Sequence, residues 1–331
     1  MTVRRLLALL IAVGLVVAAV LIRRAMDDDG RSDDGGARSA GATTAVCATE
    51  LVSVCRTAGF GTVTPEAPGT TTDRLARGEA LGADVWVVTE PWPAMVPVVA
   101  DAAGRAATTS EVSRPVATTA LSLVGWGERL DLLERACAGT VTWRCIGDHA
   151  GRPWTEVGGA AGWGTITVGV DPVSTTSGLL TVGGATRGYF ASAEPPVDDV
   201  ATNDLDTDEG FGDWLAGLAR ASLVRGPGSG TVLDRFVRAP SGASMVTALG
   251  ADADRLLATA ARADRFLLVT PEPAVTTSVV VWGARSGELL EPLRTALARA
   301  GWDAPAASGA AGLPKPGVMV QLRGRWNPPR S

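Results

Sequence analysis

An α/β protein built mostly on parallel strands, preceded by one N-terminal transmembrane helix, is the class that this sequence predicts. Three observations carry it. Short β-branched and aliphatic runs alternate with helical patterns along most of the chain. Residues 165–185 read as a buried strand, a turn and a hydroxyl-rich helix start. Residues 6–22 form an apolar run without one polar side chain.

That run follows Arg4-Arg5 and ends at Arg23-Arg24. As a helix of 1.5 Å rise it spans about 26 Å, near the short end for a bilayer crossing. A cleavable signal peptide is the competing reading. The run is longer than a usual signal core and lacks both a small-residue cleavage site and a cysteine for lipid, which favours an uncleaved anchor over residues 1–26. Residues 27–43 hold Asp, Gly, Ser, Arg and Ala with no large apolar side chain, the composition of a disordered tether. Beyond residue 46 there are 24 basic and 30 acidic residues, and Lys315 is the only lysine. An acidic globular part without a basic stripe argues against a nucleic-acid partner.

The folded part opens with a strand at 45–47, a helix at 50–57, a strand at 61–64 and a helix at 71–78 capped by Thr71 or Thr72. A buried strand at 83–88 runs into Thr89-Glu90-Pro91-Trp92. In open α/β sheets ligands sit at the carboxyl ends of strands, which makes Thr49, Thr89 and Glu90 candidates by position. A strand at 115–124 and a helix at 128–138 follow. Then Ile166, Val168 and Val170 alternate as a strand does, and Asp171-Pro172 stops it. Ser174, Thr175, Thr176 and Ser177 lead through Gly178 into an apolar helix. A helix start leaves four N–H groups unpaired and carries positive dipole charge, so it suits an anion or an oxygen-rich ligand. One hydroxyl suffices as a cap, and capping alone is the plainer reading of the motif. Helices at 211–224, 231–237 and 253–263, a strand at 266–269 before Thr270-Pro271-Glu272-Pro273, a strand at 278–282, a helix at 287–300 and a C-terminal strand at 318–322 complete the chain.

Four cysteines, Cys47, Cys55, Cys137 and Cys145, form an even set behind a membrane segment, which suits disulfides in an oxidising, extracytoplasmic compartment. Four buried thiols are the alternative. Zinc spacing of the C-x2-C type is absent, His149 is the only histidine, and no metal or cofactor is expected. Nor is an enzyme: no G-x-S-x-G elbow, S-x-x-K motif or P-loop occurs, and His149 lies in a polar loop.

In order, these elements resemble the type 2 periplasmic-binding fold of extracellular solute-binding proteins, and especially the branch related to molybdate-binding proteins of ABC transporters. The residues that carry the resemblance are Thr72 to Glu79 followed by Ala83-Asp84-Val85-Trp86-Val87, then Thr89 to Met95, then Asp171-Pro172-Val173-Ser174-Thr175-Thr176-Ser177-Gly178, which is similar to the family's D-P-x-S-x-x-G helix start, and finally Leu289 to Trp302. The resemblance implies two lobes, residues 44–117 with 275–331 and residues 118–274, closing over a ligand by hinge motion. It implies local disulfides, Cys47 to Cys55 and Cys137 to Cys145, because a bridge between lobes would oppose closure. It also implies a small polar solute in the cleft. Hydroxyls at Thr49, Thr89, Thr119 and Ser174 to Ser177 would suit an oxyanion, whereas Glu90 and Glu272 pointing inward would favour a cation or polyol. Delivery to a membrane transporter, or sensing, is the expected role. A cell-surface interaction module with a vestigial cleft is the alternative.

Overall fold

The computed structural model describes residues 43–326 apart from 198, 225–230, 241, 284–288 and 306–309. The predicted anchor and tether lie outside the described residues. Among those described, no helix is long and apolar enough to cross a membrane.

Nine strands are described: β1 (Thr44–Ala48), β2 (Thr62–Glu66), β3 (Val85–Thr89), β4 (Ala117–Trp126), β5 (Val168–Val170), β6 (Ser222–Val224), β7 (Met245–Leu249), β8 (Phe266–Val269) and β9 (Thr276–Trp282). They run in the order β2-β1-β3-β9-β4-β7-β5-β6, with β8 added beside β4. The long strand β4 belongs to two sheets at once. Its Ala117 to Ala120 pair with β9, while Leu121 to Gly125 pair with β7. The chain thereby passes from a first lobe, where β1 is parallel to β2 and β3, to a second, where β5 is parallel to β6 and β7. It returns between β8 and β9.

Every side chain of β3 and β7 is buried. Burial on both faces is what strands covered by helices on either side require, and it explains runs such as Val85-Trp86-Val87-Val88 that lack polar alternation. The helices are α1 (Val52–Thr57), α2 (Pro68–Ala76), α3 (Trp92–Ala102), α4 (Gly127–Ala136), α5 (Trp143–His149), α6 (Thr176–Ala191), α7 (Asp204–Thr207), α8 (Glu209–Arg220), α9 (Val232–Arg238), α10 (Gly250–Leu257), α11 (Leu290–Arg299) and α12 (Pro316–Arg325). Helix α6 is apolar on nearly all sides and lies between α5, α12 and the sheet. Its Gly184 and Gly188 let Trp143 approach closely: a Cβ at Gly188 would come within 2.4 Å of the Trp143 side chain.

Several expectations are corrected. The stretch 318–322 is helix, not strand: Val318, Met319, Leu322 and Trp326 are the buried positions, a helical spacing, and Pro316 opens the helix where its missing N–H costs nothing. The helix expected at 211–224 ends at Arg220, and Ser222 to Val224 form β6 instead. Thr71 and Thr72 cap nothing, because α2 starts at Pro68; both are buried, and the Thr71 hydroxyl donates to Glu66 at 2.6 Å. The helix expected at 253–263 spans Gly250–Leu257, and His149, expected in a polar loop, is the last residue of α5. Strand β7 and helices α3, α5 and α7 are additions to the predicted set.

Both local disulfides are present, with Cα separations of 6.7 Å for Cys47–Cys55 and 5.7 Å for Cys137–Cys145. A 3-10 turn at Thr49–Leu51 folds the chain between the first pair. Cys47 and Cys55 are fully buried, whereas Cys137 and Cys145 are only partly so. Reductant without denaturant is therefore expected to open Cys137–Cys145 first, read by alkylation and peptide mass. Replacing both Cys47 and Cys55 by Ser is expected to cost about 2 kcal/mol or more in denaturant unfolding.

Candidate functional site

Strand ends from both lobes meet at one seam. Thr49 and Glu50 follow β1, Thr89 ends β3, Asp171 follows β5, and Asp252 stands in the first turn of α10, just after β7. Placement at the carboxyl ends of strands is the general position for ligands in such sheets. Direct bonds cross the seam. The hydroxyls of Thr89 and Thr176, both buried, lie 2.6 Å apart, and the Gly69 N–H donates to the Ser174 carbonyl at 2.9 Å. A Cβ at Gly69 would stand 2.9 Å from the Ser174 Cα, so only glycine permits this approach.

The hydroxyls at the start of α6 have separate tasks. Thr175 is the N-cap, accepting from the Gly178 N–H at 3.3 Å and donating to the Pro172 carbonyl at 2.8 Å. Ser177 donates to Asp171 Oδ2 at 2.8 Å. The other oxygen of Asp171 accepts from the Val232 N–H at 2.9 Å, which ties the start of α9 to the start of α6. Thr119, in β4, accepts from the Ala251 N–H at 3.0 Å. It thus caps α10, whose own N-cap residue Leu249 has no acceptor to offer.

Three carboxyl groups dominate the electrostatics. Burial pushes Glu50 above the usual carboxylate range, the nearby hydroxyls of Thr176 and Thr49 and its own backbone act the other way, and the Asp252 charge pushes it further up. Burial likewise raises Asp171, although the Val232 N–H and Ser177 hydroxyl favour its charged form. Asp252 is raised by burial and partly offset by Arg255, whose guanidinium is 2.8 Å away. Glu50 Oε2 accepts from Thr49 at 3.0 Å, but Oε1 is enclosed and has no hydrogen-bond partner. A buried carboxylate oxygen left so is costly, and a donor arriving there would relieve it. Among the described residues no group of His, Cys, Asp or Glu is placed to hold a metal ion.

Of the predicted residues, the structure brings together Thr49, Thr89, Thr176 and, through its carbonyl, Ser174. Thr119, Thr175 and Ser177 serve the helix starts around the seam. Glu90 and Glu272 make other contacts. Glu90 Oε2 accepts from the Ala310 N–H at 2.9 Å. Glu272 is exposed, and its backbone bonds Val141 and Trp143 at the start of α5. Sequence reasoning missed Glu50, Asp171 and Asp252 as charged members of the site. The strand-end rule that singled out Thr49 reaches its neighbour Glu50 equally; Asp252 follows β7, a strand absent from the predicted set.

No protein-family model matches this chain, and no curated protein does. Solved structures do. A periplasmic thiamin binding protein superposes with a TM-score of 0.54 at 11% identity, over 90% of this chain and 98% of that one. The sulfate-binding protein SubI from Mycobacterium tuberculosis gives 0.46 at 14% identity, over 87% and 92%. An ABC transporter protein from Clostridium perfringens gives 0.47 at 11%, over 86% and 98%. At such identities the likeness is one of fold, and the first of them shows the two-lobed α/β fold of a periplasmic binding protein.

Proposed function

We propose that this chain is a membrane-anchored, extracytoplasmic solute-binding protein that captures a small organic cation between its lobes, for ABC-type uptake or sensing. One observation carries the choice of ligand: the enclosed, unpartnered Oε1 of Glu50, with the Asp252 carboxylate beside it. An ammonium or similar N–H donor satisfies that oxygen and is attracted by both charges, whereas an oxyanion is repelled. The motif at 171–178 resembles the molybdate-binding-related branch, but the hydroxyls of Thr175, Thr176 and Ser177 are already bonded within the protein. The lobes are taken as residues 44–117 with 275–331 and residues 118–274. Extracytoplasmic placement is supported by the two disulfides and by the apolar run at 6–22.

A second reading, an interaction module with a vestigial cleft, is favoured by the direct bonds that close the seam, Thr89 to Thr176 and Gly69 to Ser174. Thermal melts with a panel of organic ammonium compounds, polyols and oxyanions separate the two. At a concentration of about 100 Kd, a binding cation adds about 2.7 kcal/mol and raises the melting temperature by several degrees. A shift with oxyanions alone contradicts the cation reading, and no shift with any compound supports the vestigial cleft.

A further inference from the structure

The C-terminal helix α12 touches both lobes. It packs on α3 of the first lobe and on α6 of the second. Toward the second lobe, Met319 fills the space beside Gly183, where a Cβ would stand 2.7 Å from the Met319 Cε. Lys315 pairs with Asp199 at 2.6 Å, and Arg325 donates to the Leu205 carbonyl at 2.8 Å and bonds the Asp206 carboxylate. Toward the first lobe, Arg323 grips Asp73 with two parallel bonds of 3.1 Å, and its guanidinium lies over the Trp92 ring, 5.2 Å from the centroid.

The place of Arg323 matters most. One of its nitrogens stands 3.0 Å from the position a Cβ would take on Gly69, the residue whose N–H bonds Ser174 across the seam. Asp73 is on the same helix as Gly69, one turn further along. Arg323 therefore fixes the start of α2 at the point where the lobes meet. Its side chain is mostly buried, at 17% exposure, while Lys315 and Asp199 are both more than 60% exposed. A planar, bidentate, half-enclosed pair holds geometry far better than a solvated one.

We infer that α12 is a strap across the two lobes, and that Arg323, by pinning α2 through Asp73, helps to hold the seam closed. Opening of the cleft then requires α12 to let go of one lobe, either at the Arg323–Asp73 pair or at its contacts with Gly183, Leu205 and Asp206, and Arg323 is a positioning residue for the site although it bonds none of the seam residues. The inference goes beyond the proposed function and does not rest on it, because it is argued from contacts within the chain.

Amide hydrogen exchange by mass spectrometry on the full-length chain tests it. Arg323→Ala is expected to speed exchange roughly tenfold in two segments at once, residues 69–76 of the first lobe and 174–181 of the second, as a shared opening does. Arg323→Lys keeps the charge and loses the two-pronged grip, so a smaller rise in the same two segments is expected. Lys315→Ala should leave both unchanged. Should Arg323→Ala not fold, Asp73→Asn removes the same pair from the other side with the same expected pattern. A rise confined to residues 316–326, or no rise, overturns the strap. An equal rise for Lys315→Ala overturns the particular role of Arg323.

Discussion

Replacing Gly178 by Ala is expected to lower the stability of the protein by about 3 kcal/mol or more, a large loss for the addition of one methyl group. A Cβ there would lie 2.3 Å from the carbonyl oxygens of both Asp171 and Pro172. Those are backbone atoms of the turn that carries the chain from β5 into α6, so no side chain can swing aside. The change gains up to about 1 kcal/mol of helix propensity, which is too small to offset the clash. Gly212→Ala in α8 makes the contrast, since nothing lies within 4 Å of its Cβ position; that variant is expected to be slightly more stable. Denaturant unfolding of the two variants against the parent measures both signs.

Glu50→Gln carries the second large effect, and the effect has two parts. Because burial raises the Glu50 carboxyl in the folded protein, the folded state binds more protons than the unfolded chain between the ordinary carboxylate value and the raised one. The stabilising contribution of the protonated form is complete below the ordinary value and is lost as pH rises through the raised one. The parent should therefore melt higher when neutral solution is made mildly acidic, and Glu50→Gln should flatten that dependence while melting higher than the parent at neutral pH. Asp171 and Asp252 shift in the same direction, so some dependence remains. Affinity moves oppositely: loss of a buried charged acceptor is expected to weaken a bound organic cation by about tenfold to a hundredfold. A variant that binds the cation as well as the parent would remove Glu50 from the site.

The legible parts of the sequence were those where local chemistry and tertiary demand agree. Asp171-Pro172 followed by four hydroxyls and Gly178 announces a strand-to-helix turn, in which Thr175 and Ser177 bond Pro172, Gly178 and Asp171. The ligand reading attached to it was less secure, since Thr175 and Ser177 spend their hydroxyls on Pro172 and Asp171. Helix α3 was hidden by Pro93 and Pro97, although Pro93 sits in the first turn, where proline is tolerated. Strand β7 was hidden because Met245-Val246-Thr247-Ala248-Leu249 is short and buried on both faces, so it shows no alternation. In α12, Val318 and Val320 suggested a strand, yet the buried set follows a helical repeat set by contact with both lobes. The charge of the site was obscured for a further reason. Glu90 and Glu272 stand beside predicted strand ends, but only the fold reveals that Glu90 bonds Ala310 and that Glu272 is exposed, while Glu50 comes close enough to Asp252 to feel its charge.

Proton exchange on ligand binding reports on the role of Glu50 itself. A cation seated on Glu50 favours the charged carboxylate, so binding must release protons whenever the free protein holds that group partly protonated. Calorimetric titration at about pH 5.5, in buffers of different ionisation enthalpy, counts those protons for the compound that gave the largest melting shift. Net release is expected in the parent and a smaller release in Glu50→Gln. Net uptake, as an oxyanion would cause, or the same count in both proteins, would contradict it.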